Sequence, residues 1–213
     1  MGKHVGSFAS LICCTCLPAF ISTARSQVYV NADVGGTLAQ KVEVKSLNGA
    51  AVAPGVKFDF EPGVRAGVAV GYNFNPIVGL EFESGFIYNN MKNVAGPGGT
   101  VGLDASLSHV PLQVNMVFRY DEPTSPWVIF FGGGAGGDAS MVWDNAADES
   151  ATKFIFAWQA FGGFRYKFNE SMSFGAGYKY YSAHDTTFNL NSESFGVGPQ
   201  NSHSILLEFN VKF

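Results

Sequence analysis

Eight charged side chains lie inside segments that otherwise alternate apolar and small residues. They are Arg65, Glu81, Glu83, Arg119, Arg165, Lys179, Glu208 and Lys212. A period of two collects such residues on one face of a strand. Both signs are present, so the set can pair within a low-dielectric interior. Two kinds of chemistry are open to it: a structural ion network that plugs a lumen, or a polar path for small solutes. Gly67, Gly71, Gly132, Gly134, Gly136, Gly163, Gly175 and Gly177 share that face. They either leave a cavity or make room for Phe130, Phe161 and Tyr181.

Catalytic chemistry finds little support. A nucleophile needs a base within reach on the same side of its strand. In Ser202-His203-Ser204 the alternation sends His203 to the apolar face and both serines to the other. No His has a Ser two positions on, the His-x-Ser relay of outer-membrane lipid A deacylases. His184-Asp185 reads as polarity in a loop. Asp138, Asp144, Asp148 and Glu149 lie in or near one connection, but their spacing does not match a calcium loop. They are expected to be solvated acids. The expectation is therefore no enzyme, no catalytic residue, no metal and no cofactor.

The elements that must position these residues are clearest at the end of the chain. Ile205, Leu207, Phe209, Val211 and Phe213 alternate with Ser204, Leu206, Glu208, Asn210 and Lys212. In a soluble sheet this strand would be a greasy exposed edge. In a bilayer it is sensible if the apolar face meets lipid and closure pairs the edge. Seven further strands can be read: from about 28 to 38, 64 to 74, 78 to 88, 109 to 120, 127 to 136, 154 to 168 and 173 to 181. Short turns follow the second, fourth and sixth, at Asn75-Pro76, 121–126 and 169–171. Long polar connections follow the others, to about Phe60, through Gly96-Pro97-Gly98-Gly99, from about Asp138 to Lys153, and from Ser182 to Asn201. Transmembrane barrels show that asymmetry, with periplasmic turns short and outer loops long. Tyr72, Phe74, Tyr120, Trp127, Tyr166, Phe168 and Phe213 cluster near the short turns, where an interfacial girdle belongs.

A lipocalin-like soluble barrel alternates too, with its apolar face inward. Composition decides against it. Charged residues make up 14% of the 213-residue chain, against roughly 25% in soluble domains. Aromatics reach 15% and there are 26 Gly. The apolar face has too much aromatic bulk for the inside of eight strands, which leave just enough width for side chains. No apolar run reaches the roughly 18 residues of a membrane helix. The expected fold is all-β, an eight-stranded antiparallel up-and-down transmembrane β-barrel over 27–213.

Residues 1–26 read as a secretory signal peptide: Lys3 and His4, an apolar stretch from Phe8 to Ile21, then Ala24-Arg25-Ser26. Cys13, Cys14 and Cys16 all fall in it, so the mature chain would carry no thiol. Removal takes the formal charge from −4 to −6, with 11 basic against 17 acidic residues. That offers no basic stripe for nucleic acid.

Several segments resemble the small outer-membrane barrels that include opacity proteins and outer membrane proteins A, W and X. His109-Val110-Pro111-Leu112 is similar to their "IPL" strand. Trp127 to Gly137 resembles their Gly-alternating fifth strand. Trp158-Gln159 through Gly163, Tyr166 and Gly177-Tyr178-Lys179-Tyr180 resembles "YQ…G…Y…GYRY". The resemblance implies residence in a Gram-negative outer membrane, with outer-membrane lipid as surroundings and delivery by periplasmic chaperones. It also implies that the barrel-assembly machinery reads Ile205, Leu207, Phe209, Val211 and Phe213. The favoured role is envelope integrity or surface contact through displayed loops, its surface ligand unassigned. The second is a narrow porin-like channel or lateral conduit for small solutes. A lipid A-modifying enzyme is third.

Overall fold

The computed structural model describes residues 27–191 and 193–213, all of them strand or connection. The signal-peptide reading and the three cysteines lie outside the described residues. Thirteen strands run in chain order: β1 (Gln27–Ala39), β2 (Val42–Leu47), β3 (Ala50–Ala51), β4 (Lys57–Phe60), β5 (Gly63–Asn73), β6 (Val78–Gly96), β7 (Gly99–Asp121), β8 (Trp127–Asp144), β9 (Glu149–Lys167), β10 (Met172–Ala183), β11 (Thr186–Asn189), β12 (Ser194–Val197) and β13 (Gln200–Lys212).

Eight of these make a closed antiparallel ring, β1-β5-β6-β7-β8-β9-β10-β13. The first and last strands seal it, with Val34 opposite Leu207 and Asp33 opposite Glu208. Closure pairs every strand of the ring, so no edge faces lipid. The three short turns of the ring are built by side chains that mimic backbone. Asn75 Oδ1 accepts the N–H groups of Ile77 (2.8 Å) and Val78 (2.7 Å). Asn169 Oδ1 does the same for Ser171 (2.9 Å) and Met172 (2.8 Å). Ser125 Oγ accepts from Trp127 N (3.1 Å).

The outer connections differ from the sequence reading. β6 to β9 have 19, 23, 18 and 19 residues, whereas about 9–11 cross a bilayer. The stretches read as long loops after the third and fifth strands are mostly strand, turned by Pro97-Gly98 and by residues 145–148. The first and last outer connections also contain strands. β4 takes over from β5 as the neighbour of β6 above Tyr88, β2 pairs β4, β12 pairs β2, and β11 pairs β12. β11 then comes back beside β9, and Asn191 N–H donates to Glu149 Oε2 at 3.1 Å. A second cylinder therefore stands on the first. Sequence reading missed it because β2, β3, β4, β11 and β12 have only two to six residues each and the outer halves of β6 to β9 are polar.

The alternation inverts where the two cylinders meet. Below, large apolar side chains face outward: Val68, Phe82, Val114, Ile129, Phe164 and Leu207 are all exposed. Above, Glu43, Lys45, Lys92, Asp104 and Thr152 face outward, and Val42, Met91, Leu107, Val142, Phe188 and Val197 form a buried apolar cluster. The solvent outside changes from hydrocarbon to water, and the face turned inward changes with it.

Candidate functional site

The lower lumen is filled by a polar network centred on Glu83. One oxygen, Oε1, accepts from Arg65 Nη2 (3.0 Å) and Lys179 Nζ (2.6 Å). The other, Oε2, accepts from Asn115 Nδ2 (2.8 Å) and Gln159 Nε2 (2.7 Å). Four donors on two oxygens occupy the lone pairs of an ionised carboxylate. Lys179 also reaches Asp33 Oδ2 at 3.3 Å. Arg65 also donates to Gln159 Oε1 at 3.0 Å. Side chains from β1, β5, β6, β7, β9 and β10 thus meet on one axis.

Two more groups lie toward the end with the short turns. Arg165 Nε and Nη2 donate to Glu208 Oε2 at 3.0 and 2.7 Å, with the guanidinium 4.1 Å above the Phe130 ring. Tyr29 Oη donates to Glu81 Oε1 (2.8 Å) and accepts from Arg119 Nη2 (3.2 Å). Arg119 Nη1 donates to Asn73 Oδ1. At the rim, Asp121 receives Lys167 (2.7 Å) and Lys212 (3.1 Å). Of the eight charged residues singled out by alternation, seven are buried inside and Lys212 stands at this rim. Burial opposes ionisation of Asp121, but hydrogen bonds and charge from the two lysines outweigh it and hold its carboxyl below the usual range.

The inward glycines serve the filling. A Cβ on Gly163 would lie 2.9 Å from Phe130 Cζ, and one on Gly132 would lie 2.8 Å from Phe161 Cζ. The backbone carbonyls of Ala176 and Met116 on the neighbouring strands would lie closer still, so both the strand spacing and the aromatic rings call for glycine at these two positions.

Higher in the lumen, His109 Nδ1 bonds Asp138 Oδ2 at 2.7 Å. This corrects the reading of Asp138 as a solvated loop acid: it is fully buried on β8. His109 and Asp138, 29 positions apart in the chain, gave no sign in the sequence of being a pair. Ser140 faces His109 across the ladder, but its hydroxyl donates to Gln200 Oε1 (3.1 Å). The adjoining space is about 10 Å³, the size of one water. No Ser–His hydrogen bond is formed there. Among the described residues no three His, Cys, Asp or Glu side chains are placed to hold a metal ion.

Beside the apolar cluster, and sharing Met91 and Val142 with it, the upper cylinder holds a partly open cavity of about 290 Å³. Val44, Leu47, Val56, Phe58, Met91, Leu103, Ala105, Val142, Leu190 and Phe195 are among its walls, with Asp144 and Glu193 the two charged residues on its lining. Sequence reasoning did not find it, because its walls come from six strands, the β3–β4 connection and the segment after β11.

A closed eight-stranded barrel with lipid-type residues outside and ion pairs inside defines an integral outer-membrane β-barrel. The chain belongs to the family described as outer membrane protein beta-barrel domain, whose model matches residues 7–213. Its place is the Gram-negative outer membrane. No curated protein matches it in sequence. Among solved structures it is similar to outer membrane protein OprG from Pseudomonas aeruginosa, with TM-score 0.63, 17% identity, and 87% of this chain and 95% of that one covered. It is similar to Neisserial surface protein A, with TM-score 0.58, 16% identity, and 87% and 97% covered. It is also similar to outer membrane protein AlkL, solved in lipid bilayers, with TM-score 0.53, 13% identity, and 100% and 97% covered. At these identities the likeness is one of fold.

Proposed function

We propose that this protein is a non-enzymatic barrel, closed to ions at membrane depth, that captures small apolar molecules in its outer cylinder. The cavity carries this reading: about 290 Å³ lined by aliphatic and aromatic side chains lies near the lower end of the size range of small-ligand pockets. The sealed lumen beneath it supports a surface role over a water-filled pore. The closing strand presents Ile205, Leu207 and Phe209 outward to lipid, which supports a role as the assembly signal. Calorimetric titration of the protein in lipid nanodiscs with decan-1-ol tests the reading. Saturable heat beyond that of empty nanodiscs, abolished by Ala105→Trp, is expected. Identical curves for protein-loaded and empty nanodiscs would refute it.

One observation favours a second reading, a lateral conduit. The β6–β7 ladder runs to Ser84 opposite Leu112 and resumes at Ile87 opposite His109. Pro111 stands in the gap, without an N–H to donate. An apolar solute leaving the barrel sideways would find the wall least tied there.

A further inference from the structure

The cavity is not neutral. Its lining holds two carboxylates, Asp144 and Glu193, and no Lys or Arg. Asp144 Oδ1 is engaged by the N–H groups of Ala146 (2.9 Å) and Ala147 (3.2 Å), which fixes its carboxylate in the β8–β9 turn. Lys45, the nearest lysine in sequence to the β2 wall residues Val44 and Leu47, is turned outward onto Asp185 at 2.9 Å. Asp104 and Glu149 add further acid at the same end of the barrel, engaged by the Asn145 amide (3.0 Å) and the Asn191 N–H (3.1 Å). Phe58 and Phe195 stand edge to face in the wall, centroids 5.9 Å apart, and offer ring faces to a cation.

We infer that the site selects cationic amphiphiles: an apolar body in the cavity and a quaternary or primary ammonium drawn to the two lining carboxylates, Asp144 and Glu193. This rests on the apolar-capture reading and adds the sign of the head group. Water occupies about 30 Å³ per molecule, so the cavity has room for roughly ten non-hydrogen atoms, the length of a decyl chain. A partly exposed carboxylate attracts a cation and repels an anion, and water screens both effects. Two screened carboxylates acting in the same sense separate a cationic from an anionic head by about tenfold or more. The separation shrinks with salt, whereas binding of the uncharged analogue does not follow that trend.

The experiment is a titration of the protein in zwitterionic nanodiscs with decyltrimethylammonium, decan-1-ol and decanoate, each corrected for empty nanodiscs. The expected order is ammonium, then alcohol, then decanoate, with about tenfold or more between the extremes. The D144N/E193Q double variant should draw the three to within about twofold of one another. Alcohol binding with equal affinity for the two ions, or an order unmoved by the double variant, would overturn this inference and leave apolar capture standing. Failure of all three probes would overturn both.

Discussion

Glu83 is the residue on which the lumen depends. It answers Arg65 and Lys179 together, and all three are buried. Removing one partner of a buried pair leaves an uncompensated charge and costs about 3–5 kcal/mol. Glu83→Ala should lower the stability of the refolded barrel by about that amount in urea titrations followed by tryptophan fluorescence. A loss below about 1 kcal/mol would mean the network is not what packs the lumen. Asp121 makes a prediction about pH. Its folded carboxyl is held low, so its contribution is complete above the ordinary Asp value of about 3.9 and disappears as pH falls through the lowered folded value. Asp121→Asn should lower the urea midpoint at neutral pH and flatten its fall below about pH 3.9. Much of this level was legible in the sequence, since a period of two decides which face a charge shares. It could not say which charges meet. Glu83 and Lys179 are 96 positions apart, and only ring closure brings them together. Polar neutral partners such as Gln159 and Asn115 carry no charge to mark them.

At the scale of elements, the strands within the bilayer were legible and the outer ones were not. Hydrocarbon outside forces strict alternation on β5, β7 and β13. Water outside the upper cylinder inverts it and puts polar residues on the outer face, so Gly99 to Ala105 and Thr186 to Asn189 read as loop. Two substitutions separate the parts. Ala105→Trp places a large ring in the cavity and should abolish decan-1-ol binding while leaving heat-modifiable gel mobility unchanged. A loss of heat-modifiability would instead show that the outer cylinder is needed for the barrel to form. Deleting Phe213, which is 75% exposed just beyond β13 at the short-turn end, should lower the amount of protein recovered in outer-membrane fractions. An unchanged yield would remove the proposed assembly signal.

As a whole, the molecule stacks two interiors of opposite character on one axis. Ion pairs fill the part surrounded by lipid, and apolar side chains fill the part surrounded by water. Each cylinder turns inward what its surroundings reject, and the boundary between them falls near Leu107 and His109 on β7. The proposed function follows from that order, with the lower cylinder closing the membrane and the upper one holding the cavity. Single-channel recording of the wild-type protein in a planar lipid bilayer tests the closure most directly. A baseline without discrete current steps is predicted, and reproducible steps of fixed size would contradict a sealed lumen.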